Sequence, residues 1–312
     1  MFYSIATLIP VLGIFVGVGV TPAVSVSAFP VRSTSTFAPP QIEAAKETET
    51  FAPVLKQKRG THPLWEFQPK WQDIKADQFE DDWLLAGAAA LAHVDPQKIQ
   101  DIFSDVDNTN KAKRADADVD DTMVKLWNIE EWEKWNNSPA ESKTGGPPSD
   151  KKKVKYSDIT GEYSGANQNW WIAALENAFI QESGYEGITS SGFTSGDPHM
   201  ALKMMTGEEA LLFDTTEMPE NTYKAEMWRE LEKAERQPIC IMTGGKADGI
   251  SLWNKWWYAV LRVEGEESDG QVYLFDSWTG QEVSVKFQDL QEHIYWYVHQ
   301  EGPRSDAKVG PP

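Results

Sequence analysis

Residues 82–93 read DWLLAGAAALAH, and they limit the possible folds more than any other stretch of the chain. Strong helix formers carry small or apolar side chains nearly all the way round, so the segment suits a helix enclosed on every side by other elements. Asp81 and Asp82 stand at its start, where carboxylates suit the positive end of the helix dipole. A helix of this kind needs a large core around it. With 312 residues, 40% of them hydrophobic, the chain can build one large core or two modest lobes. Most of its fourteen tryptophans are expected in that core, because each buries a large apolar area. Cys240 is the single cysteine, so no intramolecular disulfide can assist. It lies in the apolar run PICIM (residues 238–242), where a thiol is expected to be buried and inert.

Helices come first along the chain and strands follow. A second helix is expected over 96–103 after the start signal Asp95-Pro96, and further helices over 167–181, 198–205 and 223–235. The segments 122–127 and 154–156 read as strands, with a Gly/Pro/Lys/Ser-rich loop over 137–153 between them. In the last third, residues 238–243, 256–263, 272–275, 282–287 and 294–299 are strand-like and separated by turn clusters. The pattern is α+β, with a helical lobe over about 60–215 packed against an antiparallel β lobe over about 216–303, and a polar tail over 304–312. The polar segment 105–121 resembles a calcium loop through Asp105, Asp107 and Asp116. It has Asn110 where such a loop needs glycine, and it is read as a solvated acidic loop, with no metal assigned.

The N-terminal region reads as a targeting segment. Residues 5–20 form an uncharged apolar run, and the small residues Val26, Ser27 and Ala28 offer a cleavage site, so residues 1–28 read as a signal peptide and the product as secreted. The apolar run is shorter than a membrane span needs and contains Pro10, so no span is expected once it is removed. Residues 29–59 have no sustained apolar period and end at Lys58-Arg59, which is either a processing site closing a pro-segment or a dibasic pair in an exposed tail. A formal net charge of -19 argues against a nucleic-acid partner and against an anionic membrane surface.

Four blocks, in order, carry a resemblance. Residues 80–86 (EDDWLLA) are similar to the calpain signature Gly-Asp-Cys-Trp-Leu-Leu-Ala. Residues 169–179 (NWWIAALENAF), followed by Gly184-Tyr185-Glu186, resemble a calpain helix and its continuation. Residues 256–260 (WWYAV) resemble the calpain segment His-Ala-Tyr-Ser-Val, and residues 274–280 (LFDSWTG) the segment around Asn-Pro-Trp-Gly. The resemblance spans about residues 61–300 and implies a papain-like, two-lobed fold with a cleft between the lobes. In that family a cysteine at the start of the central helix is the nucleophile, a histidine its base and an asparagine the orienting group. The matching positions here are Asp82, Trp256 and Asp276, and the position of the oxyanion-hole glutamine is Ala76.

Those replacements remove the chemistry. A carboxylate at a helix start is held in its charged, weakly nucleophilic form, and an indole cannot act as a base. None of His62, His93, His199, His293 and His299 falls on a motif position. The expectation is a calpain-like pseudoprotease without a cofactor, binding a protein or peptide through a cleft formed by Asp81, Asp82, Trp83, Trp256, Asp276 and Trp278. Two alternatives stay open: an active calpain-type cysteine endopeptidase, and an Asp- or metal-dependent hydrolase using Asp82 and Asp276.

Overall fold

The computed structural model describes residues 62–75, 78–106, 119–139, 142–143, 147–165, 169–217, 220–244 and 250–300. The expected signal peptide, the segment ending at Lys58-Arg59, Ala76, most of the acidic loop and the tail lie outside these residues.

Helix α1 (Asp82–Val94) is the element around which the first part of the chain packs, and residues 82–92 are buried without a break. After it come α2 (Pro96–Ile102), capped by the Asp95 carboxyl accepting the Lys98 N–H, and the short strand β1 (Phe103–Ser104). Strand β2 (Asp121–Trp127) alternates buried and half-buried residues, and α3 (Ile129–Asn136) follows it. The next strand, β3 (Ser149–Lys155), runs antiparallel to β2, so β1, β2 and β3 form a three-stranded sheet. Part of the segment expected to be loop over 137–153 is thus a strand. Its lysines hide the pattern, with Val154 the one fully buried side chain on β3.

Helix α4 (Trp171–Glu182) buries Trp171, Ile172, Leu175 and Phe179 against this assembly. The two-residue strands β4 (Ile188–Thr189) and β5 (Gly192–Phe193) lead to α5 (Pro198–Thr206), which ends on Gly207 in the left-handed conformation and packs along α1. A strand β6 (Ala210–Asp214) then precedes α6 (Glu220–Leu231) and the run β7 (Ile239–Thr243), β8 (Trp257–Glu264), β9 (Gln271–Asp276), β10 (Gln281–Lys286), the one-turn helix α7 (Phe287–Leu290) and β11 (Ile294–Gln300). Six of these strands join in one antiparallel sheet in the order β10-β9-β8-β7-β11-β6. The sheet therefore recruits β6 from before the boundary expected near residue 216, because β11 has a second edge to satisfy and β6 pairs along it from Ala210 to Asp214. The architecture is α+β.

The inner strands of this sheet are buried on both faces. Cys240, Trp257, Ala259, Leu261, Phe275 and Val298 turn toward α1 and join the core that also holds α2, α4 and α5. Their neighbours Ile239, Ile241, Tyr258, Val260, Leu274 and Tyr297 turn the other way and pack with Met227, Trp228 and Leu231 of α6. Burial on two faces explains why β7 and β8 read as continuous apolar runs rather than as alternation. Among the described residues, no helix is long and apolar enough to cross a membrane.

Candidate functional site

The start of α1 faces the sheet at the beginning of β8 and the end of β9. There Phe79, Asp81, Asp82, Leu85, Trp256, Ser277 and Trp278 line a small recess whose enclosed part holds about one water molecule. Helical spacing places Leu85 one turn beyond Asp81 and Asp82, on the same side of α1.

The polypeptide entering α1 is held by hydrogen bonds on the side of α4. Asp73 accepts hydrogen bonds from Asn169 Nδ2 (2.7 Å) and Trp171 Nε1 (2.9 Å), which tie it to the start of α4. The hydroxyl of Ser164 donates to the Lys75 carbonyl (2.5 Å) and accepts from the Lys75 N–H (2.9 Å). The Ser164 N–H in turn donates to the fully buried Glu176 carboxylate at 3.0 Å. On the sheet side, the turn at Gly280 passes close to the Ile74 carbonyl.

Asp81 is the N-cap residue of α1, and its backbone carbonyl accepts the N–H groups of Leu84 and Leu85. Asp82 is the first helical residue. Its Oδ2 accepts the backbone N–H of Trp257 at 2.8 Å, so its carboxyl reaches the sheet.

Asp276 ends β9 and organises its own turn. Oδ1 accepts the Trp278 N–H and Oδ2 the Thr279 hydroxyl, both at 3.0 Å, while its carbonyl accepts the Gly280 N–H. Gly280 sits at φ +63°, a conformation that glycine adopts without strain. Burial pushes the Asp276 carboxyl above its ordinary range, and its hydrogen bonds within the turn work in the opposite direction. The Tyr258 hydroxyl lies nearby and accepts the Trp253 N–H at 2.7 Å. Burial raises its pKa most, and the charges of Asp276 and Asp82 add to that rise. Asp82 and Asp276 thus act on one hydroxyl.

Aromatic rings form the outer wall. Trp256 and Trp278 meet edge to face, with centroids 6.2 Å apart and planes at 89°. Trp278 is 46% exposed, whereas the Trp256 Nε1 is buried without a hydrogen-bond acceptor.

Of the residues expected in a cleft, Asp81, Asp82, Trp256 and Trp278 share this recess, and Asp276 immediately precedes its lining residue Ser277 in the chain. Trp83 does not belong to it. One position along a helix turns a side chain by about 100°, which sends Trp83 into the core. There its Nε1 donates to the Thr194 carbonyl at 3.0 Å, and its ring packs edge-on against Phe179 and Phe193. Sequence reasoning overlooked Phe79, Leu85 and Ser277. Leu85 was within reach through its spacing from Asp81. Ser277, 2% exposed, has an Oγ with no hydrogen-bond partner. Nothing in a turn sequence distinguishes such a serine.

Cys240 lies elsewhere, fully buried in β7, and burial pushes its thiol far above the ordinary range. None of the residues lining the recess is a histidine. Among the described residues, no group of three or more His, Cys, Asp or Glu stands where it could hold a metal ion. No family model matches the chain, and no curated protein matches it.

Proposed function

We propose that the chain is a secreted, calpain-like pseudoprotease of papain-like two-lobed fold, whose recess binds a segment of protein or peptide without cutting it. One observation carries this reading. Asp82, Trp256 and Asp276, the positions matching the nucleophile, base and orienting group of the resemblance, gather around the start of α1. None of the three offers a thiol or an imidazole. The carboxyl of Asp82 accepts a backbone N–H of the sheet, and that of Asp276 holds a turn, so both have structural work in place of the catalytic work of the family. The buried helix with its start against a β lobe supports the same reading, as does an aromatic wall with one ring open to solvent. Function resides in the site rather than in the fold, and this site is furnished for contact.

The test uses purified full-length protein and unfolded casein carrying fluorescein. The expected result is a rise in fluorescence anisotropy on binding, with no peptide bond cleaved over a day. Hydrolysis by the wild type that stops in Asp82→Asn would overturn the reading in favour of an aspartate-dependent hydrolase. Hydrolysis that stops in Cys240→Ala would favour a cysteine endopeptidase.

A further inference from the structure

Resting on the reading of the recess as a peptide-binding site, we infer that it is a subsite for the ammonium group of a lysine side chain on the bound protein. Asp81 and Asp82 are among the residues that line it. So is Ser277, which is almost wholly buried and whose Oγ lacks a hydrogen-bond partner. A buried hydroxyl left in that condition costs free energy that an incoming donor would recover. Two carboxyl groups and a hydroxyl oxygen are acceptors suited to the three N–H bonds of an ammonium. The tryptophan rings on the outer wall are the side chains that attract a cation most strongly through their π-faces.

Size separates the two basic side chains. The enclosed space holds about one water molecule, which fits a compact ammonium and is too narrow for a planar guanidinium. Phe79 and the exposed part of Trp278 offer apolar surface for the four-carbon lysine stem. The formal charge of -19 would draw a basic partner toward the protein before contact.

The experiment titrates three blocked tripeptides, acetyl-Gly-Lys-Gly-amide and its norleucine and arginine counterparts, into full-length protein with 15N-labelled indoles. Resonances of Trp256 and Trp278 are assigned with Trp→Phe variants. The lysine peptide is expected to shift both resonances, and at least tenfold more tightly than norleucine or arginine. Its binding should weaken as salt is raised. Ser277→Ala and Asp81→Asn should each weaken it several-fold. Trp278→Ala, at a position 46% exposed, should do the same and serves as the second variant if the buried ones do not fold. Equal binding of lysine and norleucine peptides would overturn the ammonium subsite while leaving peptide binding intact. Preference for arginine would overturn the choice of cation. If no peptide shifts either indole, the subsite is overturned, and the casein titration above then decides the peptide-binding reading independently.

Discussion

Asp82 and Trp257 are joined at 2.8 Å, carboxyl oxygen to backbone N–H, so the first residue of α1 holds the first residue of β8. A carboxylate at this position suits the positive end of its own helix, and its described bond crosses to the sheet. Asp82→Ala should leave a buried N–H without an acceptor and destabilise the fold by about 1–3 kcal/mol. Asp82→Asn retains an acceptor and should lose less. Urea unfolding of the two variants measures the difference, and equal losses would show that the bond contributes nothing.

The thiol should be silent. Cys240 lies between Ala259 and Val298 in the sheet interior, where burial disfavours the thiolate that would react. Ellman's reagent should label the unfolded protein fully and the native protein hardly at all. Cys240→Ala should reduce stability by ~1–2 kcal/mol through lost packing. Rapid labelling of native protein would contradict the buried position.

Two groups at the start of α5 should oppose each other as pH changes. Burial, with Glu186 adding to it, raises the Asp197 carboxyl from 3.8 to about 6. Burial, with Lys203 adding to it, lowers the His199 imidazole from 6.5 to about 4. The folded state holds a proton on Asp197 that the unfolded chain has released, so this group's contribution is lost as pH rises from about 4 to 6. The folded state lacks a proton on His199 that the unfolded chain carries, so stability is gained over nearly the same interval. Each effect is on the order of 3 kcal/mol. Relative to wild type, Asp197→Asn should gain stability from pH 4 to 6, and His199→Gln should lose it. Parallel pH profiles for both variants would refute the opposition.

Gly196, in the loop that follows β5, lies close against Trp83 of α1. A β-carbon there would lie 2.6 Å from the Trp83 ring, while the Gly196 carbonyl accepts Trp257 Nε1 at 3.2 Å. Gly196→Ala should cost ~1–3 kcal/mol by forcing that ring aside. Thermal melting, with near-ultraviolet circular dichroism reporting the displaced tryptophan, checks this. An unchanged melting point would mean that the loop yields without cost.

What could be read from the sequence depended on whether the pattern survives two neighbours. Helix α1 was legible because small apolar residues all round admit one kind of environment. Strands β7 and β8 were legible because burial on two faces leaves continuous apolar runs. Strand β6 was overlooked: Leu211, Leu212 and Phe213 are only half-buried at the sheet margin, and their brief run has no period to detect. Strand β3 was hidden by lysines at 151, 152, 153 and 155. Helix α3, with the sequence IEEWEKWN, buries Trp132 and little else. At the site, four of the six expected cleft residues do line one recess, because order along the chain tracked place in space. Trp83 failed for a rotational reason that residue type does not encode, and Ser277 because an unmet hydrogen bond exists only after folding.

The six-stranded sheet is a party wall. Strands β7, β8, β9 and β11 each place alternate side chains in two different cores, one built on α1 and the other on α6. Removing α6 from its side would expose Ile241, Val260 and Leu274 to water and loosen the same strands that carry Cys240, Ala259 and Phe275 on the other. Neither core can melt and leave its neighbour intact. Heat should therefore take the sheet and both cores apart in a single step, with calorimetric and van't Hoff enthalpies in agreement.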